Sequence, residues 1–447
     1  MKKFLEAFVN VWKIEELKNR ILVTLGLLLV YRFGAHVTLP GIDATGLTNL
    51  SKQTQGGIGW LIDVFTGGAF SQASVFALGI MPYISASIVV QLMGIAVPYL
   101  QKLQKEGESG RKKLNQITRW LTIAITLVQG LGYIYNLYRT LPSEAFLLPS
   151  DSFPFLFSSV VILTTGTIFA MWLGEKITDK GIGNGISLLI LVGIIARMPQ
   201  AFIQEFTSVV TENNGGPLQL LLEIVVWLFI IIACILMIMA VRKIPVQYAR
   251  RTASGDFEQD MFGGNRQWIP LKLNASGVMP IIFAQAIMFI PAALAGLSKS
   301  DAAQTITSSF QNVFGLAYNV VFALLIIIFT YFYTAITVPT NKMADDLKRS
   351  GGFIPGVRPG VETGDYLDRI MSLITFPGSL FLALIAVFPA VVVSFGVQSQ
   401  WALFYGGTSL LIMVGVAIDT IQQINSYLLN RHYDGLMKSG KNRKAVA

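Results

Sequence analysis

Ten long apolar segments alternate with polar connections along the 447-residue chain. Each can span about 30 Å of hydrocarbon as a helix of about 20 residues, once the fifth is extended into its flanks. Because lipid offers backbone amides no hydrogen-bond partner and the segments lack the alternation of barrel strands, the pattern predicts a bundle of ten transmembrane helices. The approximate cores are Ile21–Leu39, Val75–Val97, Trp120–Tyr138, Phe153–Leu173, Ile182–Ala196, Leu218–Val241, Leu273–Leu297, Val313–Pro339, Ile370–Val393 and Trp401–Ile418.

Two shorter segments do not fit this scheme. In residues 1–20, apolar side chains recur at helical spacing between charged ones, which predicts an amphipathic helix on the cytoplasmic membrane surface or against another subunit. Between the first two spans, the mostly apolar run Ile58–Phe65 is too short to cross and lies between the glycine pairs Gly56–Gly57 and Gly67–Gly68. Glycine hinges favour a short helix folded back into the bundle; an interfacial helix on the outer leaflet is the alternative.

Charge sets the predicted orientation. The chain has 34 Lys and Arg against 25 Asp and Glu, a net charge of +9. Of the 34 basic residues, 29 fall in the N-terminus, the tail and the connections on the same side of the membrane, and 5 on the other side. The positive-inside rule then places both termini in the cytoplasm, so the basic balance indicates orientation rather than nucleic-acid binding.

Chemistry-bearing residues are scarce in the predicted spans. The cores of the second to fourth and of the seventh to tenth spans contain no acidic or basic residue. Arg32 and His36 lie in the outer part of the first span, where structural pairing or snorkelling is the simpler interpretation. This argues against proton coupling, although an uncoupled facilitator stays open. With two histidines, only Cys234, and no phosphate or nucleophile motif, we expect no catalytic residue, metal or cofactor. Energy for any work has to come from a partner.

Two long connections, 242–272 and 341–369, lie on the predicted cytoplasmic side. Long ordered loops are usually functional, so a docking platform is favoured over soluble connectors. Within the spans, Ile80 with Ile84 and Ile186 with Ile190 are i,i+4 pairs, each on one helix face. Such pairs also arise by chance in aliphatic spans, and nearby small polar residues also serve helix packing. An apolar constriction and simple packing are therefore both open.

Longer strings are more specific than these patterns. Together they closely resemble the SecY family of bacterial protein-translocase channels, and the resemblance extends over all ten spans in order, from about Arg20 to Tyr433. The strings are LGIMPYISASIVVQL at Leu78–Leu92, ITDKGIGNGISLLI at Ile177–Ile190, GGFIPGVRPG at Gly351–Gly360 and GGTSLLIMVGV at Gly406–Val416.

The resemblance implies an all-α fold of two pseudo-symmetric five-helix halves, residues 21–210 and 211–430, around an hourglass pore. A re-entrant plug would span about 57–71, and residues 431–447 would form a cytoplasmic tail. The implied function is the central subunit of a protein-conducting channel. It would pass unfolded secretory polypeptides across the membrane and release hydrophobic segments sideways into lipid, without enzymatic activity of its own.

Matching the motifs residue by residue implies four sets of site residues. The pore ring would consist of Ile80, Ile84, Ile186, Ile190, Ile282 and Ile412. The plug would contain Ile58, Trp60, Leu61, Val64 and Phe65. The lateral gate, between the second and seventh spans, would contain Ser87, Gln91, Gln285, Phe289 and Ile290. Partners would dock on Arg250, Arg251 and Arg358.

The family also implies partners and a location. The partners are the small membrane subunits SecE and SecG, the SecA motor ATPase, the ribosome, the unfolded preprotein with its signal peptide, and membrane lipid. The location is the bacterial cytoplasmic, or inner, membrane.

Overall fold

The chain is mainly helical. The computed structural model describes residues 12, 14–43, 63–141, 146, 153–211, 216–248, 267–295 and 312–443. Its helices are α1 Glu15–Gly34, α2 Met81–Ala96, α3 Pro98–Lys105, α4 Glu108–Thr140, α5 Phe153–Lys180, α6 Gly185–Thr211, α7 Gly216–Met239, α8 Met279–Ala295, α9 Leu316–Thr337, α10 Thr340–Arg349, α11 Val361–Ser394, α12 Ser399–Ala402 and α13 Gly407–Arg443. Its strands are β1 Val241–Tyr248, β2 Gln267–Lys272 and β3 Gly352–Phe353.

Each of the ten predicted spans contains one of these helices, which confirms the polytopic all-α fold. Within the described part of the chain, seven helices are long and apolar enough to cross a membrane, or eight if a bent pair counts as one. The two remaining spans, which contain α1 and α8, do not reach the required length or hydropathy, each for a simple reason. Helix α1 begins with Glu15 and Glu16, and α8 is described over only 17 residues.

The second span starts later than predicted and ends in a bend. Residues 66–80 form mostly turns, so α2 begins at Met81 rather than Val75. The helix ends at Ala96 because Val97 takes the extended conformation favoured before proline, with φ −101° and ψ 114°. The chain then bends by 102° into α3. The predicted connection 94–119 is thus largely helical.

The last span was also misplaced at its start. Trp401 belongs to the short helix α12, and α13 begins only at Gly407, which has a φ of 65°. The preceding Gly406 lies so close to the carbonyl oxygen of Ile385 that a Cβ atom would come within 2.3 Å of it. Helix α13 then continues to Arg443, through most of the predicted tail.

The chain divides into two compact units. Unit 1 contains residues 1–207, 311–313 and 412–447, and unit 2 contains 208–310 and 314–411. The core of unit 1 includes a buried apolar cluster from α4, α5 and the segments before and after the plug region. Its members are Leu39, Ile42, Ala73, Ala77, Leu78, Tyr133, Ile134, Leu137, Leu141, Phe155, Val160 and Leu163.

Unit 2 carries a three-stranded sheet in the order β2-β1-β3. Strand β1 pairs antiparallel with β2 from Val241↔Lys272 onward, and with β3 at Tyr248↔Gly352. Helix α10 and the first turns of α11 cover it. Residues 241–248, 267–272 and 340–360 therefore form one folded surface, which we call the sheet platform. Helix α11 begins at Val361, within the predicted second connection.

Candidate functional site

Residues 63–71 are the described part of the predicted plug, and we call them the plug segment. Its first three residues are helical, and a tight turn follows at Gly67 and Gly68, with φ values of 65° and 97°. Val64 and Phe65 are buried, at 5% and 7% exposure. Ile58, Trp60 and Leu61 lie outside the described residues.

Arg197 of α6 holds the plug segment by charge. Its Nη2 donates to one carboxylate oxygen of Asp63 and, at 2.7 Å, to the hydroxyl of Ser71. The other carboxylate oxygen of Asp63 accepts the backbone N–H of Ser71 at 2.7 Å. The Asp63 side chain is 8% exposed and that of Arg197 is 24% exposed. The Asp63 carboxylate thus accepts charge-assisted hydrogen bonds from Arg197 and from the backbone of Ser71. These bonds join the two ends of the plug segment to one guanidinium group.

Arg32 of α1 holds the turn itself. Its Nη1 donates to the carbonyl oxygen of Gly67 at 2.6 Å. Both glycines are needed because arginine atoms occupy the space that a side chain would take. A Cβ atom on Gly67 would lie 2.8 Å from Arg32 Nη1, and one on Gly68 would lie 2.8 Å from Arg197 Nη2. The positive φ values add a second reason for glycine.

The plug segment also contacts uncharged residues of neighbouring elements. The hydroxyl of Tyr133 in α4 donates to the carbonyl of Phe70 at 2.7 Å, and the two rings pack 4.8 Å apart. Just beyond the segment, the N–H of Leu39 donates to the carbonyl of Ala73 at 2.8 Å. The chain that follows is fixed in the buried cluster of unit 1. The segment is therefore anchored at its C-terminal end and held by side chains elsewhere.

We expect Gly193→Ala to unseat the plug segment. A Cβ atom at Gly193 in α6 would lie 2.3 Å from the carbonyl oxygen of Phe65, and overpacking of this kind costs about 1–3 kcal/mol. A Val64→Cys reporter should then react faster with a water-soluble maleimide, because the single native thiol, Cys234, is buried. Gly132→Ala is the control, since nothing lies within 4 Å of its Cβ position. Equal labelling rates in the two variants would contradict the packing argument.

The predicted pore-ring isoleucines share a position in their helices. All six lie at the N-cap or in the first six residues of a helix: α2, α6, α8 or α13. Ile80, Ile190 and Ile412 are buried, and Ile84, Ile186 and Ile282 are half-buried. Five of the six belong to unit 1, and Ile282 belongs to unit 2.

Two further predicted sites are described in part. In α2, Gln91 Nε2 donates to the Ser87 hydroxyl at 3.3 Å, and in α8 Gln285 is buried. The side chains of Phe289 and Ile290 lie outside the described part of the chain, as do Arg250 and Arg251. The roles of all these residues stay predictions.

Arg358 stands at the end of the sheet platform, in a turn that we call the platform tip, residues 354–360. Ile354 anchors this turn, being 2% exposed within the core of the platform. The Arg358 side chain is 87% exposed, and its carbonyl accepts the hydroxyl of Thr363 at 2.8 Å. Its ion pair with Glu362 is long, at 3.8 Å, and solvent-exposed. The tip thus presents an exposed and weakly paired cation on a fixed backbone.

The contact between Arg197 and the plug segment was not predicted from the sequence. Arg197 was counted only as a charge outside the spans, and Ile58–Phe65 was treated as an apolar run. The signal was Asp63, an acidic residue within that run: a carboxylate folded into a bundle needs a cationic or hydrogen-bonding partner. Arg32, assigned to structural pairing, does pair with the backbone of Gly67.

Comparisons of sequence identify relatives along nearly the whole chain. A family model for SecY matches residues 74–421. The protein translocase subunit SecY of Streptomyces scabiei is 39% identical over 446 residues, which cover 97% of this chain and 100% of that protein. The subunit of the same name in Halalkalibacterium halodurans is 42% identical over 441 residues, covering 96% of this chain and 99% of the relative.

Solved structures share the fold. A protein-conducting channel superposes with a TM-score of 0.62 at 16% identity, covering 92% of both chains. A SecY structure whose plug domain is described as stabilising the closed state and maintaining a membrane seal gives a TM-score of 0.59 at 17% identity, again covering 92% of both. Sec61 in the canine ribosome-channel complex gives 0.56 at 16% identity with the same coverage. At these identities the likeness is one of fold.

Proposed function

The chain belongs to the SecY family, and from this membership we propose that it is the central subunit of a channel through which unfolded secretory polypeptides cross the membrane. The observation that carries the proposal is the match to protein translocase subunits at about 40% identity over almost all of both chains. It is a multi-pass membrane protein and a channel-type translocase subunit rather than a classical enzyme. We further propose that it has no enzymatic activity, so that a partner supplies the energy.

The six isoleucines form the constriction of this channel in our proposal. A channel for unfolded polypeptide has to pass apolar, polar and charged side chains while holding back ions, so fixed charges at its narrowest point would retain some cargo. A ring of aliphatic side chains excludes water and ions by dewetting, and it adapts to a passing chain of any sequence. The buried or half-buried state of all six isoleucines supports this role.

The plug segment blocks the resting channel. Its seat in unit 1, made by Arg32, Arg197 and Tyr133, supports this assignment. Hydrophobic signal peptides and transmembrane segments leave sideways between the second and seventh spans, past the proposed gate residues on α2 and α8. The internal hydrogen bond between Gln91 and Ser87 supplies polar groups there that can exchange partners as the gate opens.

Partners dock on the sheet platform. We propose the SecA motor and the ribosome as alternative occupants of the surface around Arg250, Arg251 and Arg358, and SecE and SecG as companions in the membrane. A structural neighbour is itself a ribosome-channel complex, which supports the ribosome as a partner. The asymmetry of 29 to 5 basic residues supports an inner-membrane orientation with both termini in the cytoplasm. The halves 21–210 and 211–430 remain our assignment of the two pseudo-repeats.

Reconstitution tests the function. The chain, purified with its co-eluting small subunits into liposomes, should make an unfolded preprotein inaccessible to external protease when SecA and ATP are present. A preprotein locked in its folded state by an internal disulfide is the control and should stay accessible. A liposome that takes up small solutes under the same conditions but protects no preprotein would favour a facilitator and contradict the channel.

A further inference from the structure

We propose that Asp63 and Arg197 form an ionic latch whose breaking is a required step in opening the channel. This inference rests on the proposed function, because it assigns the plug segment its restraint. Neither residue belongs to the motifs that carry the family resemblance. The latch is read from the contacts of residues 63–71 with α1 and α6.

The contacts of the latch come from two helices and meet in one segment. Arg197 reaches Asp63 and Ser71, and Arg32 reaches the carbonyl of Gly67. All three acceptors lie in the plug segment, whereas both arginines lie on long helices. Displacing the segment therefore breaks every one of these bonds together. Because these bonds break together, we expect the plug segment to be either seated or displaced, without intermediate positions.

The plug segment also compensates positive charge on the two arginines. Arg32 contacts Gly67 and Arg197 contacts the adjacent Gly68, so the two guanidinium groups lie against consecutive residues and repel each other. Asp63 is the only acidic residue described in the plug segment, and it neutralises one of the two positive charges. When the segment leaves, the carboxylate leaves with it and two mutually repelling cations stay behind. The seated state is favoured because it is the state in which this repulsion is compensated.

Arg197 depends on the plug segment for its orientation. Among the described residues, its buried Nε has no hydrogen-bond partner. Outside the plug segment, Nη1 of Arg197 donates a 3.0 Å hydrogen bond to the exposed side-chain oxygen of Gln200. The guanidinium also lies flat against Gly68, where a Cβ atom would be 2.8–3.0 Å from Nη2, Cζ and Nε. Its orientation is thus set mainly by Asp63, Ser71 and Gly68.

Asp63→Asn removes the negative charge of the side chain and keeps its size and shape. Asparagine is nearly the same size and its carbonyl oxygen can still accept the Ser71 N–H, but the two arginines are then uncompensated. Breaking one side of a buried pair is strongly unfavourable, so the displaced state should become on the order of 100-fold more populated. Arg197→Gln should have a similar effect, because it strands the Asp63 carboxylate. The double variant removes both unpaired charges and should lie nearer to the native chain than either single variant.

The test measures ion leakage from resting liposomes that contain the chain and its co-purified subunits, together with maleimide labelling of a Val64→Cys reporter. Both readouts should rise in each single variant and fall back in the double variant. Glu175→Gln is the matched control: it breaks the Arg119–Glu175 pair, a two-bonded ion pair in the same unit outside the plug segment, and should leave both readouts unchanged.

The outcomes separate the latch from the channel. If the increases in leakage and labelling of the two single variants simply multiply in the double variant, the two residues act independently. That result would overturn the latch. Single variants that neither leak nor label would overturn it as well. In both cases the native chain would still protect an unfolded preprotein, so the proposed function would stand. A native chain that protects no preprotein would instead remove the function on which the inference rests.

Discussion

Arg358→Glu should abolish export driven by the SecA motor while the chain stays inserted and folded. The side chain is 87% exposed and its ion pair with Glu362 is 3.8 Å long, so replacing it should cost less than about 1 kcal/mol of stability. The fold of the tip does not depend on the guanidinium. Ile354 is buried in the core of the sheet platform, and the backbone carbonyl of Arg358 accepts the Thr363 hydroxyl.

Reversal of charge should be more severe than its removal. An arginine on a fixed turn can form two parallel hydrogen bonds with a carboxylate or phosphate of a partner, and a glutamate at the same place repels that partner. Preprotein protection in liposomes with SecA and ATP is the measurement, and Arg358→Ala should give an intermediate loss. Binding of the motor to the liposomes, measured separately, should fall in the same order.

Lys112→Glu serves as the control for net charge. It makes the same change in sign at an exposed residue of α4, where the native side chain pairs at 3.2 Å with the exposed Glu108. Export by this variant should remain close to that of the native chain. Undiminished export by Arg358→Glu would remove Arg358 from the docking surface. A loss of membrane-inserted protein in Arg358→Glu would instead show that the tip contributes to folding.

The sequence predicted the helices better than their ends. Runs of about 20 apolar residues reveal a span whatever its exact limits, because burying backbone in lipid requires a helix. Helix ends depend on local geometry. Pro98 could have fixed the end of α2 from the sequence, since the residue before proline avoids the helical conformation. The start of α13 could not, because it depends on the approach of Gly406 to the distant carbonyl of Ile385.

The candidate site also combines residues that the sequence could predict with contacts that depend on the fold. Isoleucine spacing is a local pattern, and by itself it left a constriction and simple packing both open. The motifs shared with the SecY family assigned Ile84 and Ile190 to the ring and Arg358 to the docking surface. The ion pair between Asp63 and Arg197 joins residues that are 134 positions apart, and no periodicity in the sequence connects them. Charge counting treated Arg197 as an ordinary flanking residue. Only the fold brings the plug segment against α6, and with it the pair that we propose as the latch.

Replacing Ile84 and Ile190 together with serine should make resting membranes leak ions. Both residues lie in the early turns of their helices, α2 and α6, and neither is exposed. An aliphatic ring holds back ions because wetting it is unfavourable, and a serine hydroxyl offers water a hydrogen-bond partner. Burial of one isoleucine is worth about 1.5–3 kcal/mol, so two replacements can lower the cost of wetting by more than the 1.4 kcal/mol that corresponds to a tenfold change.

Conductance of the closed channel in planar bilayers is the measurement, and we expect it to rise by about tenfold or more. Ile134→Ser is the control, because Ile134 is fully buried in the α4 cluster of unit 1 and outside the proposed ring. That variant should lose thermal stability without conducting. Ile84 and Ile190 replaced by leucine should stay closed, since leucine preserves the apolar surface. If the double serine variant shows only background conductance, the constriction lies elsewhere. The proposed seal requires that wetting the surface of Ile84 and Ile190 costs free energy.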